Sequence, residues 1–301
     1  DLVLVGKSEE LSKAKSEVVR LQEAVAAANA ILPDVVNFAP VIGGVDPTTG
    51  KYTGLKLLMN VDKEPVGKDA AGNDILLSSV PKILIAPELS SNRRVAEQLS
   101  LAAEAVRGFC FVDCPNETVD DAVNFSNGVT SSFLTPCYPE IYYSQAIGNV
   151  GLSAAAAGVT SRTTRDDGYW ISPSNKVINS VVKLSKPIGW SLSDLSSDAN
   201  RLNQNGVMTV IRQDGFRLWG NLTRAADEQR RFKFISVRRI ANELNDSAVK
   251  NHFWAIDQNI TKSYIATVTA GLNQKMRDMV AAGALLGGKA FVSAEENSAS
   301  T

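Results

Sequence analysis

The stretch Asn205-Gly-Val-Met-Thr-Val-Ile-Arg-Gln-Asp-Gly-Phe-Arg-Leu-Trp-Gly-Asn-Leu-Thr223 contains two short β-prone runs on either side of Asp214-Gly215. Asp and Gly reach positive φ at low cost, as both central positions of a type I′ turn require. The stretch therefore predicts a β-hairpin with a two-residue turn, in which Arg212 faces Arg217. Two arginines that face each other on neighbouring strands repel, so they need a carboxylate from elsewhere in the fold or from another chain.

Short apolar runs and helical patterns alternate along the first half of the chain. Strands are predicted at 2–5, 82–86, 109–113 and 140–143, and helices at about 8–28, 95–106, 119–127 and 146–159. Strands that are apolar throughout are typical of a parallel sheet covered by helices on both faces. The Gly-, Pro- and Asp-rich stretch Pro33–Gly72 is predicted to be loop, apart from a helical turn at Leu55–Asn60.

The second half predicts a different kind of domain. A boundary at 163–168 divides the chain into an α/β domain at 1–165, with a mostly parallel sheet flanked by helices, and a mixed α+β domain at 166–301. Further patterns predict a strand pair around 177–186, a helical turn near 198–203, helices at 236–251 and 262–281, and a final strand at 290–293. The buried side of the last helix is predicted to carry Tyr264, Ile265, Val268, Leu272, Met276, Met279 and Val280.

The composition restricts the function classes. The chain has 31 basic and 32 acidic residues, a formal net charge of −1 and no block of like charge. Because non-specific nucleic-acid affinity depends on clustered Lys and Arg, direct nucleic-acid binding is disfavoured. No apolar run reaches membrane-spanning length, so membrane insertion is not predicted. Three cysteines without a framework spacing favour a reducing compartment.

Local matches to catalytic and cofactor motifs have simpler interpretations. The segment from Gly283 to Ala290 resembles a phosphate-binding loop, but Ala290 replaces the magnesium-binding Ser or Thr, and a Gly-terminated helix end explains the glycines. The one histidine, His252, is placed to cap the end of a helix. Cys110 and Cys114 lack zinc-finger spacing, and a buried strand cysteine is favoured. No cofactor, metal site or catalytic residue is predicted.

An enzyme or ligand-binding domain is the competing class. In such a domain the site would lie in the crevice beyond the carboxyl ends of the parallel strands, near Pro87, Asp113 and Ser144. Glu88 and Asp113 are the acid–base candidates there. A lone carboxylate at a strand end is weak support for catalysis.

Arginines near the hairpin form the candidate binding residues. They are Arg212, Arg217, Arg230, Arg231, Arg238 and Arg239. Two interpretations remain open, namely solvated side chains that only add solubility, or the basic side of a contact with another subunit or with a tube. The carboxylates that could face them are Asp194, Asp198, Asp227, Glu228 and Glu243.

Several stretches resemble one known family. Asp214-Gly-Phe-Arg-Leu-Trp-Gly-Asn-Leu-Thr223 is similar to a signature of contractile tail sheath proteins, and Gly168-Tyr-Trp-Ile-Ser-Pro-Ser-Asn175 is similar to the turn that opens the family's C-terminal domain. Ile235–Ile240 and the segment from Phe253 to Gly288 also agree in order and spacing. The N-terminal half matches mainly through Tyr52–Lys56 and the strand end at Ile83–Pro87.

The resemblance implies a structural role. A sheath subunit has a central domain of subtilisin-like strand topology without proteolysis, polymerises helically around a phage tail tube, and contracts to drive the tube through the host envelope. Its partners would be further copies, the tail tube protein, and baseplate and tail terminator proteins. It would lie in the virion tail after assembly in the host cytoplasm. A related injection machine, such as an R-type bacteriocin or a secretion system, is the alternative.

The ends of the chain depart from the family pattern. Family subunits exchange an N-terminal extension and a C-terminal strand with their neighbours. Here Asp1 begins directly with a predicted core strand, and the polar segment Ala294–Thr301 follows the last element. We therefore expect the chain as given to be monomeric.

Overall fold

The computed structural model describes residues 80–87, 89–144 and 148–293. Before residue 80 it describes only the backbones of four strands, at 2–7, 38–43, 67–68 and 74–75. The strands are β1 (Leu2–Lys7), β2 (Phe38–Gly43), β3 (Gly67–Lys68), β4 (Asp74–Ile75), β5 (Ile83–Ile85), β6 (Phe109–Asp113), β7 (Leu134–Cys137), β8 (Ile141–Ser144), β9 (Gly148–Val150), β10 (Lys183–Leu184), β11 (Thr209–Arg212) and β12 (Phe216–Trp219). The helices are α1 (Arg93–Ala105), α2 (Val119–Asn127), α3 (Leu152–Asp166), α4 (Asp198–Gln204), α5 (Ile235–Asn251) and α6 (Lys262–Ala281). Asp227–Phe232 and Phe253–Ala255 are 3₁₀ helices.

A parallel sheet forms the centre of the fold. Its strand order is β2-β1-β5-β6-β7, and each neighbouring pair runs parallel. Separate antiparallel pairings join β10, β8 and β9, and join β11 to β12. The predicted α/β class with a mostly parallel sheet is confirmed.

Alternate side chains of the central strands point into two apolar cores. Leu84 and Val112 pack with α1 and α2 on one face of the sheet. Ile85 and Phe111 pack with α3 and the hairpin on the other face. Because both faces are covered, the strands need to be apolar throughout, and this explains the continuous runs in the sequence.

The first two described helices begin at the caps that their sequences supply. The Asn92 side chain accepts a hydrogen bond from the Arg94 backbone N–H at 3.0 Å, and Thr118 Oγ1 accepts one from the Asp121 N–H at 3.1 Å. Each cap satisfies a backbone donor that has no partner within the helix. The predicted helices at 95–106 and 119–127 are confirmed.

Two strands of the sheet lie where none was predicted. The strand β2 lies within the predicted loop Pro33–Gly72, and β7 precedes the predicted strand at 140–143, which belongs to the antiparallel group as β8. The strands contain Pro40 and Pro136, and a proline in a sequence argues against a strand of a sheet interior. A proline is tolerated because each strand lies at an edge of the sheet.

Other predicted segments differ in extent. The Ala-rich helix begins at Leu152 and not at 146, because Gly148–Val150 pairs with β8. Of the predicted strand pair at 177–186, the structure has β10 and a single bridge from Val177 to Arg217. The predicted helices at 8–28 and Leu55–Asn60 lie outside the described residues.

The predicted hairpin is confirmed, but its register differs by one residue. Asp214 and Gly215 adopt the predicted positive φ values of 50° and 103°. Arg212 pairs with Phe216, however, so Gln213 joins the turn and makes it three residues long. Within this turn, the Gln213 N–H donates to the Gly215 carbonyl at 2.9 Å. The predicted pairing of Arg212 with Arg217 is therefore wrong, and the two side chains leave opposite faces of the hairpin.

The chain divides into two compact units, Asp1–Arg239 and Ile240–Thr301. In the second unit α6 has the predicted bounds, but of its seven predicted buried residues only Met276 and Met279 are buried. The predicted strand at 290–293 is absent from this described segment. The Asn273 amide instead donates to the Ala290 carbonyl at 3.1 Å and accepts its N–H at 2.9 Å. The predicted domain boundary at 165/166 stays a prediction.

Candidate interaction surface

The six candidate arginines divide by exposure. Arg212, Arg230 and Arg231 are exposed, Arg217 is half-buried, and Arg238 and Arg239 are buried. Arg212 lies at the end of β11, whereas Arg230 and Arg231 end the 3₁₀ helix Asp227–Phe232. The structure therefore does not bring the six guanidinium groups together on one surface.

Arg238 is part of the interior of the first unit. Its guanidinium carbon lies 4.0 Å from the ring centre of Phe232 and 4.4 Å from that of Phe133. Nη1 donates to Ser132 Oγ at 3.4 Å. Burial lowers the pKa of Arg238, and Glu104 partly offsets this effect. A buried planar guanidinium that contacts two rings is a packing element.

Arg217 and Arg239 make hydrogen bonds within their own chain. Arg239 Nη2 donates to Thr164 Oγ1 at 2.7 Å. Arg217 donates to the Gln213 carbonyl at 2.8 Å and to the Asn175 carbonyl at 3.0 Å. The bond to the Asn175 carbonyl joins the hairpin to the turn that contains Asn175.

Sequence reasoning missed Arg224, which holds loops of the first unit together. Its Nη1 donates to the Asn205 carbonyl at 2.9 Å, and its backbone pairs with Ser131. Burial lowers the pKa of Arg224. The signal in the sequence was the position of Arg224 directly after the hairpin signature. The structure adds that this segment runs back along β7, where the Arg224 N–H donates to the Leu134 carbonyl.

Of the five carboxylates considered as arginine partners, three make local hydrogen bonds. Asp194 Oδ1 accepts the Ser196 N–H at 2.9 Å, Asp198 Oδ2 accepts the Gly189 N–H at 3.0 Å, and Glu243 accepts the Ser247 hydroxyl at 3.2 Å. Asp227 and Glu228 are exposed in the first turn of the 3₁₀ helix that carries Arg230 and Arg231. None of the five forms a salt bridge with a candidate arginine in the part of the chain that the structure describes.

A groove of about 510 Å³ lies between one face of α1, the loop Gly128–Leu134 and the start of the 3₁₀ helix. Glu97, Leu101 and Glu104 line it from α1, where their spacing places them on one helix face. All three are exposed, and Leu101 exposes 56% of its surface. None of these three residues is among the candidates that the sequence offers for an interaction surface.

Asp113, at the carboxyl end of β6, has a structural role. Its carboxylate accepts the Ser153 N–H at 2.8 Å and the Ser153 hydroxyl at 2.7 Å. These bonds cap the start of α3. Burial raises the pKa of Asp113 to about 6, and the Ser153 hydrogen bonds oppose the shift. Glu88 lies outside the described residues.

The remaining motif residues also have structural roles. His252 Nδ1 lies 3.0 Å from the Ala248 carbonyl at the end of α5, as its predicted capping role requires. Burial raises the pKa of Cys114 and Cys137, which favours the protonated form of both thiols. Gly283 has a φ of 81° and follows the end of α6, as a helix C-cap requires.

Metal-binding clusters and membrane-spanning helices are both absent from the described residues. Among the described residues, no group of three or more His, Cys, Asp or Glu side chains could hold a metal ion. No helix in the described part of the chain is both long and apolar enough to cross a membrane.

Two family models match consecutive parts of the chain. The phage tail sheath protein central domain matches residues 58–224, which contain β5, β6, β7 and the hairpin. The phage tail sheath C-terminal domain matches residues 227–301. The chain belongs to the phage tail sheath family.

Sequence identity to individual tail sheath proteins supports the same family. It is 34% identical over 264 residues to a prophage major tail sheath protein of Pseudomonas aeruginosa, covering 86% of the chain and 64% of the relative. It is 28% identical over 266 residues to the tail sheath protein of Escherichia phage P2, covering 87% and 63%. The sheath chain thus spans less than two thirds of the length of these relatives.

Solved structures share the fold of the sheath chain. A chain of the anti-feeding prophage baseplate has a TM-score of 0.60 at 20% identity, and the match covers 84% of the sheath chain and 63% of that chain. A chain of the contracted sheath complex of an extracellular contractile injection system has a TM-score of 0.55 at 18% identity, covering 71% and 59%. At these identities the likeness concerns the fold alone.

Proposed function

We propose that the chain is the core of a subunit of the contractile sheath around a phage tail tube. The observation that carries this proposal is the ordered match of the central and C-terminal sheath domains to residues 58–224 and 227–301. The phage names of the relatives favour a phage tail over an injection machine.

Contraction is proposed to use only the contacts between subunits. Identical subunits in heterologous contact build an open helix. An extended helix that is kinetically trapped can convert to a shorter, wider one when its first ring changes. The free energy would come from the difference between two sets of contacts, so the mechanism needs no nucleotide.

The partners follow from this role. They are further copies of the subunit, the tail tube protein, and baseplate and tail terminator proteins. Assembly would take place in the host cytoplasm, and the product would be part of the virion tail.

We further propose that the protein is not an enzyme. Asp113, the described acid–base candidate, is buried and accepts two hydrogen bonds from Ser153. A carboxylate that caps a helix in the interior has no access to a substrate. A hydrolase screen of the protein and its Asp113→Asn variant tests this point, since activity lost in the variant would contradict it.

The exposed arginines are proposed to contact another subunit or the tube. Arg212, Arg230 and Arg231 are exposed and form no salt bridge among the described residues. For Arg217, Arg238 and Arg239 the hydrogen bonds and ring contacts support an additional role in folding. Their replacement would therefore test stability before it tests assembly.

Electron microscopy of the full-length gene product tests the function. We expect hollow striated tubes, either alone or around purified tail tube. Single changes of Arg212, Arg230 and Arg231 to Glu should leave circular dichroism and melting unchanged but reduce the number of tubes, because a repulsive contact repeats along the lattice. Normal tubes in all three variants would contradict the arginine assignment, and no tubes from the unmodified product would contradict the proposed function.

A further inference from the structure

Unpaired carboxylates line the groove beside α1, and unpaired arginines follow in the 3₁₀ helix, outside the residues that line the groove. Glu97 and Glu104 project from α1, and Arg230 and Arg231 follow Gln229, which lines the same groove. All four charged side chains are exposed, and none forms a salt bridge in the described part of the chain. The subunit thus exposes two carboxylates on α1 and two guanidinium groups on the 3₁₀ helix that do not neutralise each other.

An exposed leucine between two carboxylates on one helix face suits an arginine side chain. Leu101 lies between Glu97 and Glu104 on the helix face and exposes 56% of its surface. An arginine places its apolar stem on such a side chain while its guanidinium reaches carboxylates on either side. The groove therefore offers both parts of an arginine a matching surface.

The nearby cations form no salt bridge with the two carboxylates in the described part of the chain, although the charge of Glu104 acts on the buried Arg238. Arg93 lies at the end of the groove against Gly128, where its Nη2 donates to the Asn124 carbonyl at 3.4 Å. Arg231 lies over the ring of its neighbour Phe232, with 5.0 Å between guanidinium carbon and ring centre. Neither guanidinium pairs with Glu97 or Glu104 of the same chain.

We propose that Glu97 and Glu104 are the carboxylate partners of Arg230 and Arg231 from a second copy of the chain, with Leu101 packing against the arginine stems. A second copy is the occupant that the charges favour, because it brings the complementary pair in a fixed arrangement. The proposal rests on the proposed function, since it names a contact through which copies assemble. Glu97 and Glu104 are carboxylates outside the set of arginine partners that the sequence suggests.

Charge reversal with mixing tests the proposal in the full-length gene product. One variant carries Glu97→Arg with Glu104→Arg, and the other carries Arg230→Glu with Arg231→Glu. Alone, each variant should sediment as tubes at least ~10-fold less than the unmodified protein, because like charges meet at every contact. Mixed in equal amounts, the two variants should regain tubes, since each copy then meets a neighbour of opposite charge.

The mixing step separates contact between copies from contact within one copy. If the arginines and glutamates paired only within a chain, mixing would restore nothing, and this result would overturn the proposal. Tubes from each variant alone would overturn it as well. A control variant, Glu117→Arg beside the separate helix α2, should assemble normally, because Glu117 is exposed and does not line the groove. Failure of the unmodified protein to form tubes would instead count against the proposed function.

Discussion

The guanidinium carbon of Arg238 lies 4.0 Å from the ring centre of Phe232, six residues earlier in the chain. The ring centre of Phe133 lies 4.4 Å from the same carbon, so the buried cation contacts two aromatic rings in the first unit. A side chain that the sequence offers as a binding residue therefore stabilises the junction of the 3₁₀ helix with α5. The exposed arginines of the 3₁₀ helix are not buried in this way.

Replacement of Arg238 should destabilise the fold, whereas replacement of Arg230 should not. Arg238→Ala removes two ring contacts and leaves space beside both rings, so we expect a loss on the order of 2–3 kcal/mol in the free energy of unfolding. Arg230→Ala, at an exposed position, should leave the urea midpoint unchanged. Equal midpoints for the two variants would show that the ring contacts add no stability.

The turn of the hairpin should not tolerate a β-branched residue at Gly215. Gly215→Val forces valine to a φ of 103°, although the nearest atom to an added Cβ, in Val177, is 3.8 Å away. Backbone strain and not a clash should cost about 1–3 kcal/mol. Gly287→Val is the matched control, because that glycine has open space and no positive φ. Thermal melting of both variants gives the comparison, and a wild-type melting temperature for Gly215→Val would contradict the strained turn.

Two glycines at and within α3 should respond in opposite ways to alanine. A Cβ added at Gly151 would collide with the Asp113 carboxylate, whereas one added at Gly158 meets nothing within 4 Å. Gly151→Ala should therefore displace the cap and lower stability. Gly158→Ala should raise stability by up to about 1 kcal/mol, since alanine favours the helix. Chemical denaturation measures both, and a stable Gly151→Ala variant would argue against a tight cap.

Stability should fall with rising pH because of Asp113. Burial raises the folded-state pKa of this carboxyl to about 6, above its ordinary value of 3.8. The stabilising contribution is then complete below the ordinary pKa and is lost as the pH rises through about 6. The predicted loss is on the order of 2–3 kcal/mol.

The Asp113→Asn variant isolates this effect from other titrating groups. The free energy of unfolding, measured by urea at several pH values between 4 and 8, should decline in the unmodified protein relative to the variant. A constant difference between the two proteins across this range would show that Asp113 does not titrate there.

The sequence predicted most helices and the central strands because their signals are local. The spacing of Val95, Leu99 and Ala102 follows the helical period, and Phe109–Asp113 is an uninterrupted apolar strand. The positive φ values at Asp214 and Gly215 are equally local, since they depend on the side chains at those two positions. The family signature lies in the same hairpin.

Pairing and burial depend on contacts that the local pattern does not contain. Whether the hairpin turn has two or three residues decides which side chain faces Arg212, and both lengths suit Asp-Gly. Strands β2 and β7 exist because neighbouring strands accept them at the sheet edges, in spite of their prolines. Sequence spacing alone misplaced both.

The sequence by itself determined the α/β class, the hairpin and the membership of the sheath family, because periodicity and turn chemistry are properties of neighbouring residues. Only the tertiary structure decided that Arg238 is buried against Phe133 and Phe232 while Arg230 is exposed. It also placed Glu97 and Glu104 beside the same groove as the 3₁₀ helix. The sequence gives the sign of each charged side chain. The exposure of that side chain and its distance from other charges are decided only when distant segments pack together.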